Sequence, residues 1–370
     1  MNIKNRNIGE YLKHLLRSIL FWTIAMILFV LFRYYALNSE VGIEINAKYK
    51  VVYSIYNLIL GFGLGGFLIG VLYATIEFYF DKFILKRISI GLNILIQTVL
   101  IFISALIISY MMINLSIRIN SLPFSIDVSW WYQDHSFRPI LIYFTFSSLI
   151  FSIITIVSDK FGKGVFFKML IGKYKQPKEE ERIFLFIDLK SSTNIAETIG
   201  HFKYSQLIQD CFYDLNEIMT KYSAEIYQYV GDEAVISWPY KKGILHNNCV
   251  NLFFLFQQRI QSKANFYLKK YDTFPEFKAG LHGGPIMVAE VGVVKKELAY
   301  HGDVINTAAR IQGQCNKHNV PILISESLLN NLHIEPDFIS EFMANILLKG
   351  KEKKISIHTI SKIGFRKYDL

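Results

Sequence analysis

Three stretches of the chain, residues 51–76, 88–117 and 140–158, contain no Asp, Glu, Lys or Arg. Each matches or approaches the roughly 20 apolar residues that a helix needs to cross the hydrocarbon core of a bilayer. A run of that kind is confined to helix, because lipid offers no partner for an open backbone. A fourth stretch, 15–37, is interrupted only by Arg17 and Arg33 near its ends, from which a long side chain reaches the headgroups. Four spans are therefore expected, forming a transmembrane anchor over residues 1–158. A cleaved signal peptide is the rival reading of the first span, but no A-x-A-like site follows it.

Lys and Arg set the expected orientation, since short cytosolic loops carry the excess. Lys4, Arg6, Lys13 and Arg17 precede the first span. Lys82, Lys86 and Arg87 lie between the second and third, and Lys160, Lys163, Lys168, Lys173 and Lys175 follow the fourth. The alternate loops hold only Arg33, Lys48 and Lys50, then Arg118 and Arg138. Both termini are thus expected in the cytosol of an integral protein of a bacterial inner or cell membrane, with lipid as one partner. Gly61, Gly65, Gly66 and Gly70 give the second span small-xxx-small spacing, read here as packing within the protomer. Trp130, Trp131 and Tyr132, in the longer outer loop, read as an interfacial aromatic belt.

The net charge of +10 is carried largely beside these apolar segments, so nucleic acid is not expected as a partner. Cys211, Cys249 and Cys315 are odd in number and lack metal-ligand spacing. Reduced thiols are expected rather than a disulfide framework or a zinc site.

Residues 159–181 read as a cytosolic linker, basic and apolar before Pro177 and acidic after it, and suited to lie on the membrane surface. Residues 182–370 alternate strand-like and helix-like segments, which predicts an α+β or α/β layered domain. Ile183 to Ile187 is a short apolar run, as in a buried strand, with Asp188 at its end. Residues 225–238 read as a hairpin with Gly231 and Asp232 in its tight turn. If that hairpin pairs beside the first strand, two aspartates converge, and Mg²⁺ held by carboxylates and substrate phosphates relieves their repulsion. Either aspartate alone would be an ordinary solvated turn residue. Ser191, Ser192 and Thr193 form a small polar turn into a helix from about Ile195, where free N–H groups suit a triphosphate; they are equally ordinary N-cap residues. Further on, Asp303 reads as an N-cap, which places Asn306 and Arg310 at i and i+4 on one helix face. An amide beside a guanidinium suits a phosphorylated sugar.

The segments FIDLKSST, VGDEA, HGDVINTAAR and LLKGK, in that order, resemble the catalytic domain of class III adenylate and guanylate cyclases. The resemblance implies a ferredoxin-like palm that works as a homodimer, with active sites at the interface. Asp188 and Asp232 match the family's two metal aspartates, and Leu189 the residue whose carbonyl also meets metal, which implies two Mg²⁺ or Mn²⁺ as cofactors. Asn306 and Arg310 match the pair that stabilises the transition state from the opposite protomer, and Lys349 matches the lysine that holds the terminal phosphates. The implied substrate is a nucleoside triphosphate. The base-selecting positions depart from the family: Gln228 and Ala299 stand where adenylate cyclases carry Lys and Asp or Thr, and guanylate cyclases Glu and Cys. Gln can pair with either purine edge. ATP is favoured because the guanine-specifying Glu is absent, with GTP or a pyrimidine nucleotide as alternatives. Val230 and Ala234, flanking Gly231-Asp232-Glu233, disagree with a diguanylate cyclase. A non-catalytic receptor or scaffold would have no need to keep Asp188, Asp232, Asn306, Arg310 and Lys349 together.

Overall fold

Residues 3–36, 54–83, 90–118, 137–161, 165–294, 296–333, 336, 338–347 and 354–364 are described by the structure, a computed structural model. Lys349 lies outside the described residues, as do Trp130, Trp131 and Tyr132 and the loop residues Lys48, Lys50, Lys86, Arg87 and Lys163. The chain divides into two units, Met1–Lys160 and Phe161–Leu370.

The first unit is helical: α1 (Ile3–Ala36), α2 (Ile55–Phe83), α3 (Ile90–Arg118) and α4 (Phe137–Phe161). Within them His14–Tyr35 and Ile55–Phe78 are long and apolar enough to cross a membrane, while Leu95–Ile108 and Ile142–Ser158 are shorter apolar stretches. The chain therefore has two such helices among the described residues, not the four expected. The glycines of α2 divide by face. A Cβ on Gly66 would lie 2.6 Å from the Trp22 carbonyl oxygen, and one on Gly70 2.5 Å from Ile19 Cα, so α1 and α2 touch backbone to backbone. A Cβ on Gly61 or Gly65 meets no described atom within 4 Å. Trp22 is fully buried between Phe144, stacked at 4.7 Å, and Tyr73.

Polar groups line the inside of this bundle. Glu77, one residue beyond the apolar run, is 4% exposed and lies 3.8 Å from Arg17. Arg17, near the end of the first span, keeps 30% of its side chain exposed. It donates to Thr155 Oγ1 of α4 at 3.2 Å and sits 5.7 Å over the Phe151 ring, while its buried Nε has no hydrogen-bond partner among the described residues. Tyr73 donates to Gln97 of α3 at 3.3 Å, and the Tyr143 hydroxyl donates to the Ala25 carbonyl at 2.7 Å.

The second unit is an α+β domain built on eight strands: β1 (Lys178–Leu189), β2 (Glu225–Val230), β3 (Glu233–Pro239), β4 (Phe277–Val291), β5 (Glu297–His301), β6 (Ile322–Ser325), β7 (Phe338–Ile346) and β8 (Ile355–Lys362). They form one sheet in the order β2-β3-β1-β4-β6-β8-β7, with β5 paired to the far end of β4. All neighbours are antiparallel except β4 and β6. The helices that cover the sheet are α6 (Ser192–Ile199), α7 (His201–Met219), α8 (Asn248–Ser262), α9 (Ala264–Tyr271) and α10 (Asp303–Gly313), preceded by the short α5 (Val165–Leu170). β1 begins at Lys178, inside the segment read from sequence as linker.

β1 is central, and both its faces are buried, which accounts for its unbroken apolar run. Ile183, Leu185, Ile187 and Leu189 pack with Leu207, Cys211 and Leu215 of α7 and Val250, Phe253 and Phe256 of α8. Phe184 and Phe186 point the other way, into a second cluster with Tyr174, Val235, Ile286, Val304 and Ala308. Asp188 shares the parity of Phe184 and Phe186, and so lies on the face that α10 covers. The three cysteines are free and buried.

Candidate active site

The carboxylates converge because of strand register. Asp188 is flanked by Glu233 of β3 on one side and Lys278 of β4 on the other. β2 and β3 pair up to Val230 and Glu233, which leaves Gly231 and Asp232 as a two-residue turn. Gly231 has φ +62°, a left-handed conformation that glycine adopts without strain and that closes tight hairpins. Asp232 is thereby held at the tip beside Glu233, on the side of the sheet end where β1 stops. Tyr204 of α7 reaches the same place, and its hydroxyl is raised by burial and then by the charge of Asp232.

Negative charge accumulates here. Burial raises the Asp188 carboxyl, and Asp232 raises it further, while Lys278 and Gln312 hold it down. Glu233 is pushed up to about 7 by burial, then by the charges of Asp188 and Asp232. Lys278 Nζ is 3.1 Å from Asp188 Oδ2, and Gln312 Nε2 donates to the same oxygen at 3.0 Å. The donor set suits a hard divalent cation, which would relieve the repulsion that raises these carboxyls. Among the described residues no three His, Cys, Asp or Glu stand together as a ready-made cage. That fits an ion completed by one or two carboxylates plus substrate phosphates.

The other residues singled out in the sequence are distributed as follows. Leu189 ends β1, with its side chain buried on the face opposite Asp188. Ser191 is left-handed, φ 57°, and its carbonyl accepts from the Ile195 N–H at 3.1 Å. The helix starts at Ser192 rather than near Ile195, so Ser192 and Thr193 occupy its first turn. At α10 the cap position is Gly302; Asp303 is the first helical residue and accepts from Thr307 Oγ1 at 3.2 Å. Val304, Thr307, Ala308 and Ile311 bury the inner face of α10, while Asn306 is exposed and Arg310 half-buried. Gln228 is exposed on β2, and Ala299 is half-buried on β5 opposite Ala289.

β2 and β5 are not paired, yet residues adjacent to Gln228 and Ala299 meet. The rings of Tyr227 and Tyr300 are 4.7 Å apart at 73°. Arg182, 2% exposed, lies 5.0 Å over Tyr300 and is bonded to Glu180, to Glu225 of β2 and to Ser237 of β3. Arg182, Lys278, Gln312 and Tyr300 did not stand out in the sequence. A buried strand opening on Arg was the only local signal for any of them, because each acts through partners distant in the chain.

The adenylate and guanylate cyclase catalytic domain model matches residues 174–362, half of the chain and the whole of the sheet. The chain belongs to this cyclase family. Adenylate cyclase 2 of Rhizobium meliloti (strain 1021) is 36% identical over 206 residues, 55% of this chain and 56% of that protein. The adenylate cyclase of Anabaena cylindrica is 24% identical over 183 residues, 48% and 36% respectively. The chain thus spans about half or less of the length of these curated relatives. Among solved structures, a bacterial light-regulated adenylyl cyclase superposes with a TM-score of 0.52 at 15% identity, covering 63% of this chain and 68% of that one. That likeness places the cyclase domain of this chain in the same fold.

Proposed function

We propose that the chain is a membrane-bound nucleotidyl cyclase that converts ATP to cyclic AMP and pyrophosphate. The observation that carries this reading is the convergence of Asp188 and Asp232 at one end of the sheet, beside a helix that presents Asn306 and Arg310 on its outer face. Asp188 and Asp232, with the Leu189 carbonyl, would hold two Mg²⁺ or Mn²⁺; when bound, such ions polarise the α-phosphate and favour the ribose 3′-oxygen as nucleophile. Arg310 neutralises charge developing on the α-phosphate, and Asn306 orients the ribose. The 3′-oxygen forms the new bond to the α-phosphorus as the bond to the bridging oxygen breaks, so pyrophosphate leaves and the hydroxyl proton passes to solvent. Lys349 and the first-turn N–H groups at Ser191, Ser192 and Thr193 hold the outgoing phosphates. Asn306 and Arg310 face outward, which supports a homodimer in which they serve the partner's site.

Gln228 and Ala299 select the base, with ATP favoured and GTP or a pyrimidine nucleotide as the competing substrates. The names of the two relatives above support ATP. The anchor is proposed to cross the bilayer through His14–Tyr35 and Ile55–Phe78, with both termini and the cyclase domain in the cytosol. Large apolar side chains such as Leu16, Leu20, Phe32, Leu60, Ile142 and Phe146 are exposed on its helices, an arrangement costly in water and satisfied by lipid. The test is product formation by membranes containing the protein, offered each of the four ribonucleoside triphosphates with Mg²⁺ or Mn²⁺, with Asp188→Ala as control. Cyclic AMP from the wild type alone is expected. No cyclic product under any condition would leave a non-catalytic scaffold as the surviving reading.

A further inference from the structure

The helix that presents Asn306 and Arg310 also reaches Asp188 from behind. Gln312, 6% exposed and two residues after Arg310, donates from Nε2 to Asp188 Oδ2 at 3.0 Å, and Lys278 Nζ stands 3.1 Å from that same oxygen. Neither donor takes Oδ1. The main chain at Gln312 is fixed against the sheet: a Cβ on Gly280 of β4 would lie 2.3 Å from Gln312 N and 2.6 Å from its Cα. Strand and helix therefore touch backbone to backbone, which only glycine permits. The residue type is also informative. An amide donates without adding charge, whereas a carboxylate here would join Asp188, Asp232 and Glu233, and a second ammonium beside Lys278 would oppose cation binding.

We propose that Gln312 is a positioning residue that holds Oδ2 of Asp188, so that Oδ1 faces the divalent cation. The inference rests on the metal-site reading above and extends it to the layer behind the ligand. The carboxylate is clamped on one oxygen by two donors from different elements, β4 and α10, and its rotation about χ2 is thereby restricted. A cation then meets an oriented ligand and pays less ordering entropy on binding.

The test uses the full chain in nanodiscs with Mn²⁺ alone as probe, bound ion being read from loss of the free-Mn²⁺ EPR signal. Gln312→Met keeps length and volume but cannot donate, and Mn²⁺ binding is expected to weaken by about tenfold or more, the usual scale for an outer partner of a ligand. Gln312→Asn withdraws the amide by about 1.5 Å, one C–C bond, and keeps its polarity. It is expected to weaken binding in the same direction, which decides the matter if the Met variant does not fold. Thr307→Val removes a hydrogen bond on the same buried face of α10 without touching Asp188. It is expected to lower the unfolding temperature and leave Mn²⁺ affinity unchanged, separating positioning from a loosened helix. If folded Gln312→Met and Gln312→Asn both bind Mn²⁺ within about twofold of wild type, well short of the scale above, the positioning role is overturned and the metal site stands. If the wild type binds no Mn²⁺ that Asp188→Asn removes, both readings fall.

Discussion

Gly280→Ala puts a methyl group where β4 and α10 meet. The new Cβ would lie 2.3 Å from Gln312 N and 2.6 Å from both its Cα and its Cβ. Favourable contacts between carbons begin near about 3.5 Å, so the helix must retreat by roughly 1 Å. None of the three atoms is the free end of a side chain, and the displacement therefore falls on the helix backbone. Overpacking of this kind costs about 1–3 kcal/mol, and each kcal/mol lowers Tm by roughly 2–4 °C in a domain of this size. The effect on rate is expected to be larger. Asn306, Arg310 and Gln312 all move with α10, and a misplacement of about 1 Å in positioning groups costs on the order of 10²-fold. Gly284→Ala is the matched comparison: its Cβ meets only Val304 Cγ2, at 3.2 Å, a methyl that can give way. It should lose less than about threefold in rate, since a rotamer adjustment costs only about 0.5–1.5 kcal/mol and leaves the helix in place. The assay is the initial rate of cyclic nucleotide formation by the full chain, with thermal unfolding in the same preparation. The reasoning fails if Gly280→Ala keeps the wild-type rate, or if Gly284→Ala is as damaging.

Three other outcomes follow from contacts described above. Arg182→Met leaves Glu180 and Glu225 without their shared cation; breaking a buried pair from one side costs about 3–5 kcal/mol, and a loss below about 1 kcal/mol in denaturant unfolding would contradict that account. Burial alone would raise the Glu180 carboxyl, but hydrogen bonds from Tyr174 and Lys173 and the charges of Lys173 and Arg182 hold it below its ordinary value. A depressed folded pKa contributes stability that is present above the unfolded value, 4.5, and is lost as the pH falls through the folded one. Tyr174→Phe should therefore cost stability near neutrality, and its deficit should shrink in acid; a deficit independent of pH would exclude Glu180 as its origin. Burial pushes the Cys249 and Cys315 thiols up to about 12 and Cys211 upward as well. All three should resist alkylation in the folded protein and react once it is unfolded, as read by mass spectrometry; rapid native labelling would show that the cores around them open.

What could be read from the sequence was whatever a short stretch of chain encodes. The run before Asp188 is apolar at every position, and that pattern alone marks a strand buried on both faces. Gly231-Asp232 between two β-rich segments specified a two-residue hairpin turn, and the Asn306–Arg310 spacing specified a shared helix face. Lys278 and Gln312 were not legible, because their meaning depends on β4 and α10 arriving at Asp188 from 90 and 124 residues away. Arg182 is the first residue of the catalytic half as read from the sequence, and nothing local marks it as 2% exposed; β1 starts at Lys178 and carries it into the sheet. Helix starts were shifted by local geometry: Ser191 adopts a left-handed conformation and Gly302 takes the cap position, so each helix begins where the backbone turns, not where the best capping side chain stands. Glu77 follows directly on an uncharged run, and its burial beside Arg17 depends on the packing of α1 against α2.

The α1–α2 contact has a mechanical consequence. Gly66 and Gly70 give these two helices a smooth, close backbone interface, and smooth apolar surfaces resist sliding weakly. Arg17 and Glu77, 3.8 Å apart across the same interface, supply the missing index. A slip of one helical turn, about 5.4 Å, would part Arg17 from Glu77, whose carboxylate also has His14 of α1 at 3.8 Å. The ion pair thus sets the depth at which one helix rides against the other, and a shift of register between them has to proceed by discrete steps that first break it.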